Sequence, residues 1–171
     1  MKSLILIGFM GAGKTTVGKL LANTYNLPFI DMDAVIENDI GMTIDTFFEK
    51  YGEAAFRKKE QEVLADLMQQ EAVIATGGGI VTSQANRTLL KSHPYVVFLK
   101  ADPAVFLQRI KSDIAVKRPL ASEKSDEAVR ELYESRLDYY LESATVAINT
   151  DDLTPEEVVL ELTRQLHEEG D

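Results

Sequence analysis

The sequence predicts a three-layer α/β/α domain built on a central five-stranded parallel sheet. Three observations carry that expectation. Five short runs of aliphatic and β-branched residues are apolar throughout rather than alternating, as in strands covered on both faces. Longer segments between the runs carry helix signals, and strand–helix alternation gives a parallel sheet with helices on both sides. The length, 171 residues, suits one domain with a real core. Residues 1–171 are therefore read as a single domain.

In chain order, Leu4-Ile5-Leu6-Ile7 is the first buried strand. Lys14 to Tyr25 follows as a helix with apolar positions at Val17, Leu20, Leu21 and Ala22. Phe29-Ile30, after Pro28, is a short second strand that ends in Asp31-Met32-Asp33. Residues 43–70 carry two helices broken near Gly52. Ala72-Val73-Ile74-Ala75 and Tyr95-Val96-Val97-Phe98-Leu99 are the third and fourth strands. Asp102-Pro103 places a cap and then a proline at the first helical position. Ser125 can cap a helix running to about Tyr140, and Thr145-Val146-Ala147-Ile148 is the fifth strand. Thr154-Pro155-Glu156-Glu157 combines a capping box with proline at N1 and starts the last helix. All five prolines fall at joints. Residues 110–124 have little apolar content and no period, and a segment of that kind in a compact domain predicts a mobile lid.

The net charge is −10, from 18 basic and 28 acidic residues. That balance argues against nucleic acid, which needs a positive stripe to replace counterions, and against an anionic membrane. It leaves a small anionic ligand open, because a site needs only local positive charge. The acidity is uneven: residues 151–171 hold eight of the acidic residues and one basic residue. Residues 105–120 carry Arg109, Lys111, Lys117 and Arg118 against Asp113 alone. Absence of cysteine removes disulfides, zinc thiolates, iron–sulfur clusters and a thiol nucleophile. The two histidines, His93 and His167, stand far apart, so any metal is expected to be a hard cation such as Mg²⁺, held by oxygen. No run approaches the ~18 apolar residues of a membrane span, and the cytoplasm is the expected compartment.

Gly8-Phe9-Met10-Gly11-Ala12-Gly13-Lys14-Thr15 satisfies G-x-x-x-x-G-K-[ST] directly after a strand and at the start of a helix. In this P-loop, glycines let backbone N–H groups curl round a phosphate, the lysine reaches the β- and γ-phosphates, and the threonine hydroxyl can coordinate Mg²⁺. The helix adds its positive end. The motif predicts a nucleoside triphosphate site. The guanine-reading N-K-x-D and the D-x-x-G of GTPase switches are absent from the chain, and no acid follows the third strand, which ends in Thr76-Gly77-Gly78-Gly79. Asp31 and Asp33 are the replacement for that acid. Read as alternate residues of one strand, they face the same side at the α/β crevice. One suits a metal-bound water and the other a substrate hydroxyl. A pair that merely caps the next helix is the plainer reading. In Phe56-Arg57-Lys58-Lys59-Glu60, Arg57 and Glu60 lie three apart on a helix and can pair, which orients a guanidinium fork for a carboxylate. A solvated charged face accounts equally for that stretch taken alone.

These residues together resemble shikimate kinases: Gly-Phe-Met-Gly-Ala-Gly-Lys-Thr-Thr-Val-Gly at 8–18, Asp31-x-Asp33, Gly52-Glu53-x-x-Phe56-Arg57-x-x-Glu60, Gly77-Gly78-Gly79 and Arg118-Pro119-Leu120. The match covers nearly the whole chain, in order. The resemblance implies transfer of the ATP γ-phosphoryl group to the 3-hydroxyl of shikimate, in a monomer of P-loop kinase fold. It implies that Gly11, Ala12, Gly13, Lys14, Thr15 and Thr16 wrap the phosphates, with Thr15 and Asp31 serving Mg²⁺, Asp31 through a water. Asp33 would contact the substrate hydroxyls and act as base. Arg57, oriented by Glu60, and Arg136 would bind the carboxylate, and Gly77, Gly78 and Gly79 would offer N–H groups to the ring. Arg118 would be the lid arginine, and Arg109 and the segment at Pro155 would hold adenine. Residues 34–60 would form the helical substrate-binding segment and 110–124 the lid. Arg136-Leu137-Asp138-Tyr139-Tyr140 departs from the family's Arg-x-Pro-Leu-Tyr. The competing readings are another small-metabolite P-loop kinase, such as a gluconate kinase, and a nucleotide-binding module without catalysis.

Overall fold

The structure is a computed structural model, and it describes residues 3–112 and 126–169. Strands β1 (Leu4–Ile7), β2 (Phe29–Asp31), β3 (Val73–Ala75), β4 (Val96–Lys100) and β5 (Val146–Asn149) form one sheet. Its order is β2-β3-β1-β4-β5, and every pairing is parallel. The predicted strands are all present, β1 with the expected bounds and the others moved by one residue at one or both ends. Helices are α1 (Lys14–Tyr25), α2 (Met32–Ile40), α3 (Ile44–Leu67), α4 (Gln84–Lys91), α5 (Pro103–Ser112), α6 (Asp126–Ser143) and α7 (Pro155–Glu169), with a 3-10 turn at Ile80–Thr82.

The apolar strands feed two cores by alternation. On β1, Leu4 and Leu6 face one side, where α1 and α7 pack through Val17, Leu21, Val158 and Leu162. Ile5 and Ile7 face the other, against Met32 and Ile36 of α2 and Leu64 and Leu67 of α3. All four residues of β1 are fully buried, so a polar residue at any of them would enter one core or the other.

Three helix starts and one internal break follow from local sequence. The Thr154 N–H donates to Glu157 Oε1 at 3.1 Å and the Glu157 N–H donates back to Thr154 Oγ1 at 3.1 Å, closing the capping box. The Ala104 N–H donates to Asp102 Oδ1 at 2.9 Å ahead of α5. The Thr46 N–H donates to Thr43 Oγ1 at the start of α3. Gly52, at φ 82° and ψ 173°, breaks α3 at the expected place.

Two expectations are corrected. Asp33 is not a strand residue: β2 ends at Asp31, whose Oδ1 accepts from the Asp33 and Ala34 N–H groups and caps α2. The capping energy of an aspartate at a strand end ends the strand one residue before Met32. Irregular chain also does not begin at Ile110, because α5 continues through Ser112. The rest of the expected lid, residues 113–124 with Arg118, lies outside the described residues, as does Ser125. The 3-10 turn and α4 were not singled out by the sequence.

From the end of β1 the chain crosses to one side for β2 and β3, then to the other for β4 and β5. Their loops diverge there, and a crevice opens at the carboxyl end of the sheet.

Candidate active site

That crevice is a cleft of about 1140 Å³. One end is lined by residues 9–17, and the middle by Asp31, Asp33 and Gly77 to Gly79. Arg57, Glu60 and Arg136 also line the cleft, and Val105, Leu153, Pro155 and Val158 add an apolar wall. Apart from Arg118 and Arg109, every site residue expected from the sequence lines this cleft. The Arg109 backbone lies within α5, but its side chain, like Arg118, is outside the described residues.

The phosphate end is built almost entirely from backbone. Gly13 is the N-cap of α1 in the left-handed conformation, φ 95°, where a residue with a Cβ is strained. The first turn of α1 lines the cleft, so the positive end of the helix faces it. Lys14 Nζ donates to the carbonyl of Gly8 and, at 3.3 Å, to that of Phe9. The ammonium is thus held over the loop whose phosphate it would meet. Thr15 and Asp31 supply a hydroxyl and a carboxylate to the same cleft. Asp31 uses Oδ1 for capping. This hard-oxygen pair fits Mg²⁺, which keeps several waters and needs only one or two protein oxygens beside phosphate.

Asp33 sits in the first turn of α2, across from the loop. Burial, and then the neighbouring charge of Asp31, push its carboxyl above the usual aspartate range, although Lys14 and Arg57 pull it down. A carboxylate tuned upward is a better proton acceptor near neutral pH.

Arg57 points along α3 into the cleft. Its Nη1 donates to Glu60 Oε1 at 2.9 Å, and Glu53 Oε1 lies 3.5 Å from its Nε. The guanidinium lies over Phe56, 5.2 Å from the ring centroid, and Phe48, at 5.9 Å. Glu60 is 1% exposed and also accepts from Asn86 Nδ2 at 2.9 Å. Burial raises the Glu60 carboxyl above its usual range, against the pull of Arg57 and Asn86.

Gly77 and Gly79 are required by the site's own side chains. A Cβ on Gly77 would stand 2.8 Å from Asp33 Oδ1, and one on Gly79 would stand 2.6 Å from Arg57 Nη2. The protein's own carboxylate and guanidinium occupy the space that side chains at these two positions would need. Gly78 has a different role. Its carbonyl accepts from the Tyr140 hydroxyl and, at 3.4 Å, from Arg136 Nη1. Arg136 itself lies 5.8 Å from the Phe9 ring centroid. Despite the atypical Leu137-Asp138-Tyr139 between them, Arg136 and Tyr140 both reach the glycine run.

The sequence missed Asn86, Tyr140, Phe9 and Glu53 as parts of this site. Tyr140 had a signal, one turn after Arg136. Asn86 had none, since a single asparagine in a polar helix reads as surface.

A family model described as shikimate kinase matches residues 10–167. The chain belongs to the shikimate kinase family. It is an ATP-dependent kinase of that family. It is 48% identical to the shikimate kinase of Enterococcus faecalis over 98% of this chain and 100% of that one. It is 39% identical to that of Bacillus anthracis, with the same coverage. Among solved structures, shikimate kinase from Acinetobacter baumannii in complex with shikimate superposes with a TM-score of 0.87 at 34% identity, covering 99% of this chain and 94% of that one. A gluconokinase from Sinorhizobium meliloti reaches a TM-score of 0.58 at 17% identity, a likeness of fold alone.

Proposed function

We propose that this kinase transfers the γ-phosphoryl group of ATP to the 3-hydroxyl of shikimate through the residues assembled in the cleft. The observation that supports this most directly is the pairing of Arg57 with the buried Glu60 beside Asp33, in the same cleft as the phosphate loop. A guanidinium held by a carboxylate presents its outer edge to a second carboxylate, the one charged group of shikimate. Arg136 approaches from α6 and adds a second positive charge.

With the acceptor so anchored, the 3-hydroxyl faces Asp33. Its oxygen forms a bond to the γ-phosphorus, the bond to the β–γ bridging oxygen breaks, and the proton passes to the Asp33 carboxylate. Such transfer depends on positioning and charge stabilisation more than on covalent help. Gly11 to Thr16 and Lys14 hold the phosphates. Thr15 and Asp31 would hold Mg²⁺, which when bound neutralises charge on the β- and γ-phosphates. Arg118, in the 110–124 segment proposed as a lid, would add charge there, and Arg109 and Pro155 would contact adenine. Closure would exclude water that otherwise hydrolyses ATP. The 34–60 segment carries the acceptor contacts, and the protein acts as a monomer in the cytoplasm. No helix among the described residues is long and apolar enough to cross a membrane.

ADP release coupled to a spectroscopic readout tests the reading, with ATP, Mg²⁺ and either shikimate or gluconate as acceptor. Shikimate-dependent release is expected. Release with gluconate alone would move the chain to the rival acceptor class. Asp33→Asn should abolish turnover while ATP binding, followed by calorimetry, stays nearly intact. Near-normal turnover in that variant would remove Asp33 as the base.

A further inference from the structure

The side chain that decides how Glu60 holds Arg57 is on another helix. Asn86 is fully buried on α4, 26 residues away in sequence, and donates from Nδ2 to the same Glu60 Oε1 that takes the Arg57 guanidinium. An ionised carboxylate has no proton to give, so the bond to Glu60 fixes which way the Asn86 amide faces. The amide in turn gives the oxygen that Arg57 grips a second donor, from another helix. Asn86 is itself held by its helix, whose N-cap is Ser83, immediately after the 3-10 turn that follows the glycine run.

From this geometry we infer that Asn86 is a positioning residue for substrate-carboxylate recognition, acting through Glu60 on the pose of Arg57. The inference rests on the reading of Arg57 as the carboxylate-binding arginine. Asn86 touches no reacting atom. Its amide supplies one of two hydrogen bonds that favour the ionised form of a buried carboxylate, and the ionised form is what orients the guanidinium. The charged groups that bear on Glu60 are Arg57, on its own helix, and Asp33, on α2. The 3-10 turn carries no charge. On α4, the Arg87 and Lys91 side chains are paired with Glu142 on α6.

Two substitutions separate this role from simple packing. Asn86→Leu removes the donor at similar volume. It should raise the shikimate KM about tenfold, the effect of one hydrogen bond to a charged group, with kcat and the ATP KM within about twofold of the parent. Asn86→Asp makes the donor titratable. In acid, the introduced carboxyl is protonated and can still donate to Glu60, so the shikimate KM should stay near the parent's. As pH rises it ionises beside Glu60, two like charges compete at one buried spot, and the shikimate KM should climb. The parent should show no such climb over the same range. Arg57→Ala is run in parallel, with folding of each variant followed by circular dichroism. If Arg57→Ala leaves the shikimate KM unchanged, the carboxylate reading itself has failed. If Arg57→Ala raises it while a folded Asn86 variant keeps the parent's value at every pH, the positioning role of Asn86 is overturned. Should Asn86→Leu fail to fold, the pH profile of Asn86→Asp alone decides.

Discussion

The molecule contains two arginines with nearly the same sequence surroundings and different fates. Arg57 has glutamates four residues before it and three after it, and contacts both. Arg164, on α7, has glutamates three before it and four after it, and contacts both, at 2.5 and 2.6 Å. The side chains of the first cluster are 17% exposed for Arg57 and 1% for Glu60; those of the second are 54% for Arg164 and 36% for Glu161. Shorter contacts thus belong to the more exposed cluster. Distance is therefore the wrong guide to importance. An exposed pair gains little over its hydration and is screened by salt, whereas a buried carboxylate depends on every partner it has. In the first cluster the arginine still has an edge to offer a ligand; in the second, water is the alternative partner for every group.

The largest expected break is Arg57→Ala. It should raise the shikimate KM on the order of 100-fold, for two charge-assisted hydrogen bonds of about 1.5 kcal/mol each. Arg164→Ala should leave the KM unchanged, and steady-state kinetics on the two variants compares them directly. Next is Glu60→Leu, which strands Arg57 and Asn86 together. Denaturant unfolding should show a loss of about 2–3 kcal/mol, and an unchanged midpoint would mean that the pair is as idle as an exposed one.

The pH dependence sharpens the contrast through its sign. Glu60 binds its proton more tightly in the folded chain than in the unfolded one, whose value is near 4.5. Between that value and the raised one, the folded chain holds more protons, so the Glu60 contribution falls as pH rises. Glu161 is held down to about 2 by hydrogen bonds from Arg164 and Gln165. The folded chain there holds fewer protons, so its contribution is lost as pH drops from 4.5 towards 2. Glu60→Gln and Glu161→Gln should therefore change the slope of Tm against pH in opposite directions. Slopes changed in the same direction would erase the distinction. The smallest effect is expected from Arg164→Ala at high salt, where Tm should match that of the parent.

The legibility of the site follows the same division. The phosphate loop was readable because its function rests on contiguous backbone: Gly11, Gly13, Lys14 and Thr15 are adjacent in sequence as in space. The strands were readable because burial on both faces leaves unbroken apolar runs such as Leu4 to Ile7. Asp33 was identified correctly as a cleft residue on a mistaken local argument, since the cap made by Asp31 starts a helix where alternation implied more strand. Arg57 and Glu60 could not be told from a solvated face by spacing alone, as Arg164 demonstrates; Asn86 closes the difference and comes from a different helix. The glycine run was marked by its composition, but its reason, the crowding by Asp33 and Arg57, needed three segments brought together.

Because all five strands run the same way, the ends of the sheet have separate duties. Among the described residues, the segments after β1, β2, β3 and β5 line the cleft from the carboxyl ends. At the amino end, Gln69, Gln70 and Glu71 are exposed ahead of β3. The chain has no cysteine, so a thiol introduced at Gln70 would be unique. It would accept a fluorophore or a surface tether on the face of the molecule away from the cleft. The parallel sheet thereby supplies a handle for single-molecule observation of turnover, with the reporter and the reaction at opposite ends of the same strands.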